Sequence, residues 1–236
     1  MSDRRASRTR RTHPIGREAK FIEAIAALRA GFQAPVALTI GAPDGPFADA
    51  LAAALGGARP APVVDWRLAG PKVLKAAFED APDDAPALVL AAEIAALRRG
   101  AAHARALDPD VVLFEECVDP SLALETVERL GRVGAVVLNA DDPRCTGCLA
   151  ALEDVPGLRV AAYGRRPGAA VRVLDAQFYT TCSAACLQVG RDSFDMSIGA
   201  PGFERLDAAL AALTAVKALG GDVAAASARF SGLRAD

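Results

Sequence analysis

The stretch Ala135–Pro143, AVVLNADDP, constrains this chain most. Four apolar residues, Ala135, Val136, Val137 and Leu138, follow one another without alternation, which suits a strand buried on both faces of a parallel sheet. The run stops at Asn139, Asp141 and Asp142, and Pro143 follows. Asp142 is placed to cap a helix whose first residue is Pro143. A strand that ends in polar side chains and turns into a helix is where open α/β sheets hold ligands. The plainer reading of the same turn is a capped helix after a core strand.

The rest of the chain repeats the pattern. Strands are expected at Ala34–Ile40, Ala61–Trp66, Ala87–Ala91, Asp110–Phe114 and Leu158–Tyr163. Helices are expected at Glu18–Ala30, Pro46–Leu55, Pro71–Phe78, Glu93–Leu107 and Pro120–Leu130, and from Pro143 to Leu152. This alternation predicts an α/β fold with a mostly parallel, doubly wound sheet flanked by helices. Between Val171 and Ile198 the pattern changes to short β-prone pieces with a turn near Gly190, which reads as a small antiparallel insert. Helices at Phe203–Leu219 and Asp222–Phe230 close the chain.

A chain of 236 residues that is 52% hydrophobic can bury a large core, with alanine-rich helices packed closely. The net charge of −2 gives no general attraction to nucleic acid. No apolar run reaches the roughly 18 residues of a membrane span. Residues 1–17 carry Arg4, Arg5, Arg8, Arg10, Arg11 and Arg17 with few apolar residues, and read as a disordered basic arm before one domain over residues 18–236. No apolar segment follows the paired arginines, so they do not read as an export signal. An odd number of cysteines, five, favours free thiols and a cytoplasmic location.

Three stretches resemble the central, ATP-binding domain of the Mur ligases, which folylpolyglutamate synthases share. The first is VVLNADDPR, Val136–Arg144. The second is the segment from Pro201 to Ala235, PGFERLDAALAALTAVKALGG and onward, similar to the family's PGxHNxxNAxAAxAxAxxLG. The third is VALTIGAPDGPF, a strand, a glycine loop and a helix where the family has its phosphate loop. The resemblance implies a nucleotide site at Gly41, Gly45, Asn139 and Asp142, with ATP and magnesium as cofactors. It also implies that Glu93 matches a metal-binding glutamate.

The departures from the family's pattern are as informative. Its loop, GTNGK[ST], holds phosphate with backbone N–H groups and a lysine, and magnesium with a hydroxyl. Here Pro46 and Phe47 stand in the lysine and hydroxyl positions, Pro43 and Pro46 lack N–H groups, and Asp44 adds a negative charge. The lysines are Lys20, Lys72, Lys75 and Lys217, so none lies near the loop in sequence or at the carbamylated-lysine position of many of these ligases. The family's aspartate–histidine pair falls near Glu116–Ser121, which has no histidine. Its later His-Asn pair is Glu204-Arg205, and its later Asn is Ala208. No catalytic residue is assigned, and the flanking sugar-binding and amino-acid-binding domains have no counterpart.

Cys145 and Cys148 form CxxC, and Cys182 and Cys186 form CxxxC; together they have the arithmetic of a zinc site. Cys117 is unpaired by spacing, and His13 and His103 are isolated. Three functions follow as expectations. One is an inactive Mur ligase-like domain that binds a protein partner or a second copy in cell-wall metabolism. Another is an ATP-dependent carboxylate–amine ligase completed by a partner chain. The third is a zinc-stabilised interaction module.

Overall fold

The structure is a computed structural model that describes residues 14–42, 45–57, 59–66, 71–82, 84–99 and 101–233. Most of the basic arm, residues 1–13, and Pro43 and Asp44 of the glycine loop lie outside the described residues.

One sheet of nine strands runs through the molecule in the order β2-β3-β1-β4-β5-β6-β7-β8-β9. Its parallel part comprises β1 (Val36–Ile40), β2 (Val63–Asp65), β3 (Leu88–Ala92), β4 (Val111–Phe114), β5 (Ala135–Asn139) and β6 (Arg159–Gly164). The helices between them are α2 (Pro46–Leu55), α3 (Pro71–Glu79), α4 (Ile94–Arg99), α5 (Ala101–Arg105), α6 (Pro120–Leu130) and α7 (Cys145–Leu152). Helix α1 (Pro14–Gly31) precedes β1 and starts within the stretch expected to be the arm. Within the helix expected over 93–107 the described residues form α4 and α5, with residue 100 outside the described residues.

The expected antiparallel insert continues this same sheet. Strand β7 (Val171–Phe178) joins β6 in parallel, and β8 (Ser183–Val189) and β9 (Asp192–Ile198) follow antiparallel. Gly190, at φ +64°, makes the tight turn between β8 and β9.

Side-chain size divides the core. One face of β1, β3, β4 and β5 presents Ala37, Ala91, Val111, Ala135 and Val137. Against these small residues pack α2 and α8 (Phe203–Ala218), both rich in alanine, and then α9 (Val223–Ser227). The other face presents Leu38, Ile40, Leu90, Phe114 and Leu138 toward α1 and α3 to α7. Alternation along the strands thus places close-packed helices on one side and bulkier layers on the other. A 3₁₀ turn, Ala228–Gly232, buries Phe230 and accepts the Gly199 N–H through the Phe230 carbonyl. No helix of the described residues is long and apolar enough to cross a membrane.

Candidate nucleotide cleft

Parallel strands share a direction, so the carboxyl ends of β1, β3, β4 and β5 bring Gly41, Glu93, Glu115 and Asn139 to one edge. They line a cleft of about 960 Å³. Glu116, Asp141 and Asp142 join from the loops, and Glu204 and Asp207 from the first turns of α8. Arg144 is the one cation among the described lining residues.

Three amides of the described loop residues, those of Gly41, Ala42 and Gly45, are engaged. Gly41 N–H donates to the Ala92 carbonyl at 3.1 Å, and Gly45 N–H to the Ala42 carbonyl at 2.8 Å. Ala42 N–H donates to Glu115 Oε2 at 2.9 Å. The Glu115 carboxylate lies so close over Gly41 that a Cβ there would overlap it. Phe47, in the family's hydroxyl position, is buried in the core at 7% exposure, so it contributes packing where a magnesium ligand would stand. Gly41 thus lines the cleft and Gly45 lies behind it beside the Glu115 carboxylate, each with its N–H already paired.

The carboxylates of the NADD box are also used within the chain. Asn139 Oδ1 accepts from Asp141 N–H at 2.9 Å. Asp141 accepts the backbone N–H groups of Arg165 and Arg166, which fixes the loop after β6. Gly164, at φ +138°, gives the Asp141 carboxylate the room to do this. Asp142 accepts Arg144 N–H at 2.8 Å, the Arg144 guanidinium at 2.8 and 3.1 Å, and Cys117 N–H at 3.2 Å. Asp142 accepts the N–H two residues on, as a cap would, yet α7 starts at Cys145 with Arg144 before it, so Asp142 precedes the helix it was expected to cap. Arg144 holds the Asp142 carboxyl below the usual carboxylate range.

Deeper in the cleft, burial raises the carboxyls of Glu115 and Asp207 above that range. Arg165 opposes the shift at Asp207, and Asp141 adds to it. Glu116 and Glu204 add to it at Glu115, against the pull of the Ala42 N–H. Glu115 Oε1 and the fully buried Tyr163 hydroxyl have no hydrogen-bond partner. Glu93 is exposed at the rim. The arrangement repels anions and offers acceptors to a cation.

The four cysteines of the zinc reading do not come together. Among the described residues no group of three or more His, Cys, Asp or Glu is arranged to hold a metal ion. Cys145 and Cys148 are buried on α7 beneath the cleft, while Cys186 sits on β8 opposite Asp175 and Asp195. Strands β5 and β8 are three places apart in the sheet, about 14 Å at ordinary strand spacing. Cys117, after β4, and Cys145 instead share Asp142, whose Oδ2 accepts the Cys117 N–H and whose carbonyl accepts the Cys145 N–H. Sequence reasoning also missed Glu204 and Asp207 as cleft residues. Their signal was acids three apart at the start of a helix.

No family model matches this sequence, and no curated protein matches it. Solved structures do match its shape. A UDP-N-acetylmuramoylalanyl-D-glutamyl-2,6-diaminopimelate–D-alanyl-D-alanyl ligase from Acinetobacter baumannii superposes with a TM-score of 0.69 at 13% identity, over 93% of this chain and 50% of that one. The MurF ligase of Thermotoga maritima, solved with ADP, gives 0.68 at 15% identity, over 100% and 56%. The folylpolyglutamate synthetase of Lactobacillus casei gives 0.59 at 13%, over 98% and 68%. This chain therefore spans about half the length of the Mur ligases it resembles. With its central β1 between β3 and β4, its helices on both faces and its antiparallel edge, the chain has the Mur ligase-like α/β fold.

Proposed function

We propose that this chain is a Mur ligase-like domain that no longer hydrolyses ATP and acts through protein contacts at its acidic cleft, in peptidoglycan metabolism. The observation that carries the reading is Glu115. Its carboxylate occupies the loop's Ala42 N–H and the space over Gly41, where a phosphate oxygen would have to lie. A triphosphate would have to displace one carboxylate and approach six more. It would meet neither a lysine nor a hydroxyl on the loop. Each charge-assisted phosphate contact that is missing removes about 1.5–3 kcal/mol. The surplus of acceptors suits a basic protein segment instead. Isothermal calorimetry with Mg-ATP is expected to show no binding at micromolar concentrations, and phosphate release is expected to stay at background. A low-micromolar Kd would overturn the reading and favour a ligase completed by a partner chain.

A further inference from the structure

Another cavity, of about 870 Å³, lies at the amino edge of the sheet, at the opposite ends of the strands from the acidic cleft. Its described lining holds Arg29, Arg105, Arg132 and Arg159 against two acids, Asp108 and Asp110. Both acids are already used. Asp110 Oδ2 accepts the Arg29 guanidinium and the Val36 N–H, each at 2.7 Å. Asp108 Oδ1 accepts the Arg132 N–H at 3.1 Å. Arg29 is used as well, since it also donates to the carbonyls of Phe32, Leu107 and Asp108 at distances between 3.0 and 3.3 Å. The guanidiniums of Arg105, Arg132 and Arg159 have no hydrogen bond or ion pair among the described residues.

The backbone gathers these three residues. Arg132 sits in the short loop of residues 131–134 between α6 and β5. Gly131, at φ +83°, lies against Arg105, where a Cβ would come within 3.0 Å of the Arg105 carbonyl and 3.1 Å of its Cγ. At the other end of the loop, Gly134 N–H donates to the Pro109 carbonyl, and the Gly134 carbonyl accepts the Arg159 N–H, each at 3.2 Å. Asp108, which holds the Arg132 amide, is the one non-glycine among the described residues with a positive φ, +39°. Such a backbone is uncommon outside glycine. One fixed loop therefore touches Arg105 at its start and Arg159 at its end, with Arg132 inside it. Like charges held near one another repel, and a bound anion relieves that repulsion.

We propose that this groove is a binding site for a small phosphate monoester. With the Arg29–Asp110 pair set aside, three guanidiniums stand against one carboxylate, an excess of two positive charges. A phosphate monoester carries about −1.5 to −2 charges at pH 7 and three acceptor oxygens. Guanidiniums pair with such oxygens through two N–H groups at a time. A single carboxylate would leave half of the excess in place. The wall also presents Ile22, Ala26, Phe32 and Pro35, an apolar surface that suits the organic part of an ester. The site lies at the edge away from the acidic cleft, so this inference does not rest on the nucleotide reading.

The test uses the full chain and phenyl phosphate. Isothermal calorimetry at low salt is expected to show one saturable site with a Kd below about 1 mM, tighter than for inorganic phosphate. Benzenesulfonate, a monoanion of the same outline, is expected to bind at least about tenfold more weakly. Arg132→Gln and Arg159→Gln, both at exposed positions, are each expected to weaken phenyl phosphate at least about tenfold. Arg191→Gln, at the turn between β8 and β9, removes the same charge elsewhere and is expected to leave binding unchanged. On the unaltered chain, phenyl phosphate is expected to protect Arg105, Arg132 and Arg159 from phenylglyoxal, as mapped by mass spectrometry. That map decides the matter even if a variant fails to fold. No saturable binding, or protection confined to Arg144, overturns the proposal. Inorganic phosphate binding as tightly as phenyl phosphate overturns the organic ester, and benzenesulfonate binding as tightly overturns the doubly charged ligand.

Discussion

Glu115 keeps its carboxylate against one backbone amide, with its other oxygen buried and unpartnered. Burial raises its pKa from the ordinary 4.5, so the folded chain holds this proton more tightly than the unfolded chain does. For an acid shifted upward, the stabilising contribution is complete below the ordinary pKa and is lost as pH rises through the folded value. Glu115→Gln removes that dependence. Urea unfolding is expected to find the variant close to the native chain at pH 4 and gaining on it from pH 4.5 to 7.5. A gap that does not change with pH would show that the carboxylate is not held as described. None of this arrangement was legible from residue 115 alone. Glu115 meets the glycine loop because β4 lies beside β1, and the chain makes two other strands between them. Cys117 was read as solitary for the same reason, since its partners lie on the far side of the β4–β5 step.

Elements whose signals are local were read correctly. Helix α6 begins where Asp119 and Pro120 place it, with Asp119 Oδ1 accepting Ser121 N–H at 2.9 Å. Helix α7 has the same Asp-Pro pair and the same bond to the N–H two residues on, yet it starts two residues later, and there the carboxylate is also held by the Arg144 guanidinium and the Cys117 N–H. One dipeptide therefore has two outcomes. The closing helix was legible in position, but its role was not. Residues Ala208 to Val216 of α8 are buried on every side, which marks a helix inside the molecule rather than on its surface. Its alanines let it lie against α2 and the small-residue face of the sheet. Ala212→Leu, at a position with 0% exposure, is expected to destabilise the fold by about 1–3 kcal/mol through overpacking. The check is the urea midpoint at unchanged slope.

Across the whole molecule, charge is divided by edge. The carboxyl edge of the sheet holds the acidic cleft, while Arg105, Arg132 and Arg159 line a second cavity at the amino edge, beside the Arg29–Asp110 ion pair. Helix α1 ends at that amino edge, with its following Phe32 against Phe78 of α3. Residues 1–13 carry Arg4, Arg5, Arg8, Arg10 and Arg11, a charge opposite to that of the acidic cleft. A synthetic peptide of residues 1–13 is expected to bind the chain that lacks them, and to lose at least about tenfold in affinity between 50 and 300 mM salt. Fluorescence anisotropy measures this, and no binding at 50 mM would leave the cleft acids as solvated surface. The position of α8 also has a consequence for synthesis. A nascent chain that has just released β9 possesses all nine strands, yet the face of β4, β5 and β6 that α8 covers still waits for residues 203–218. At about 5–20 residues per second that face stands open to chaperones, and to other unfinished chains, for roughly one to several seconds. The ribosome's pace, rather than any slow folding step, then sets how long this protein is vulnerable.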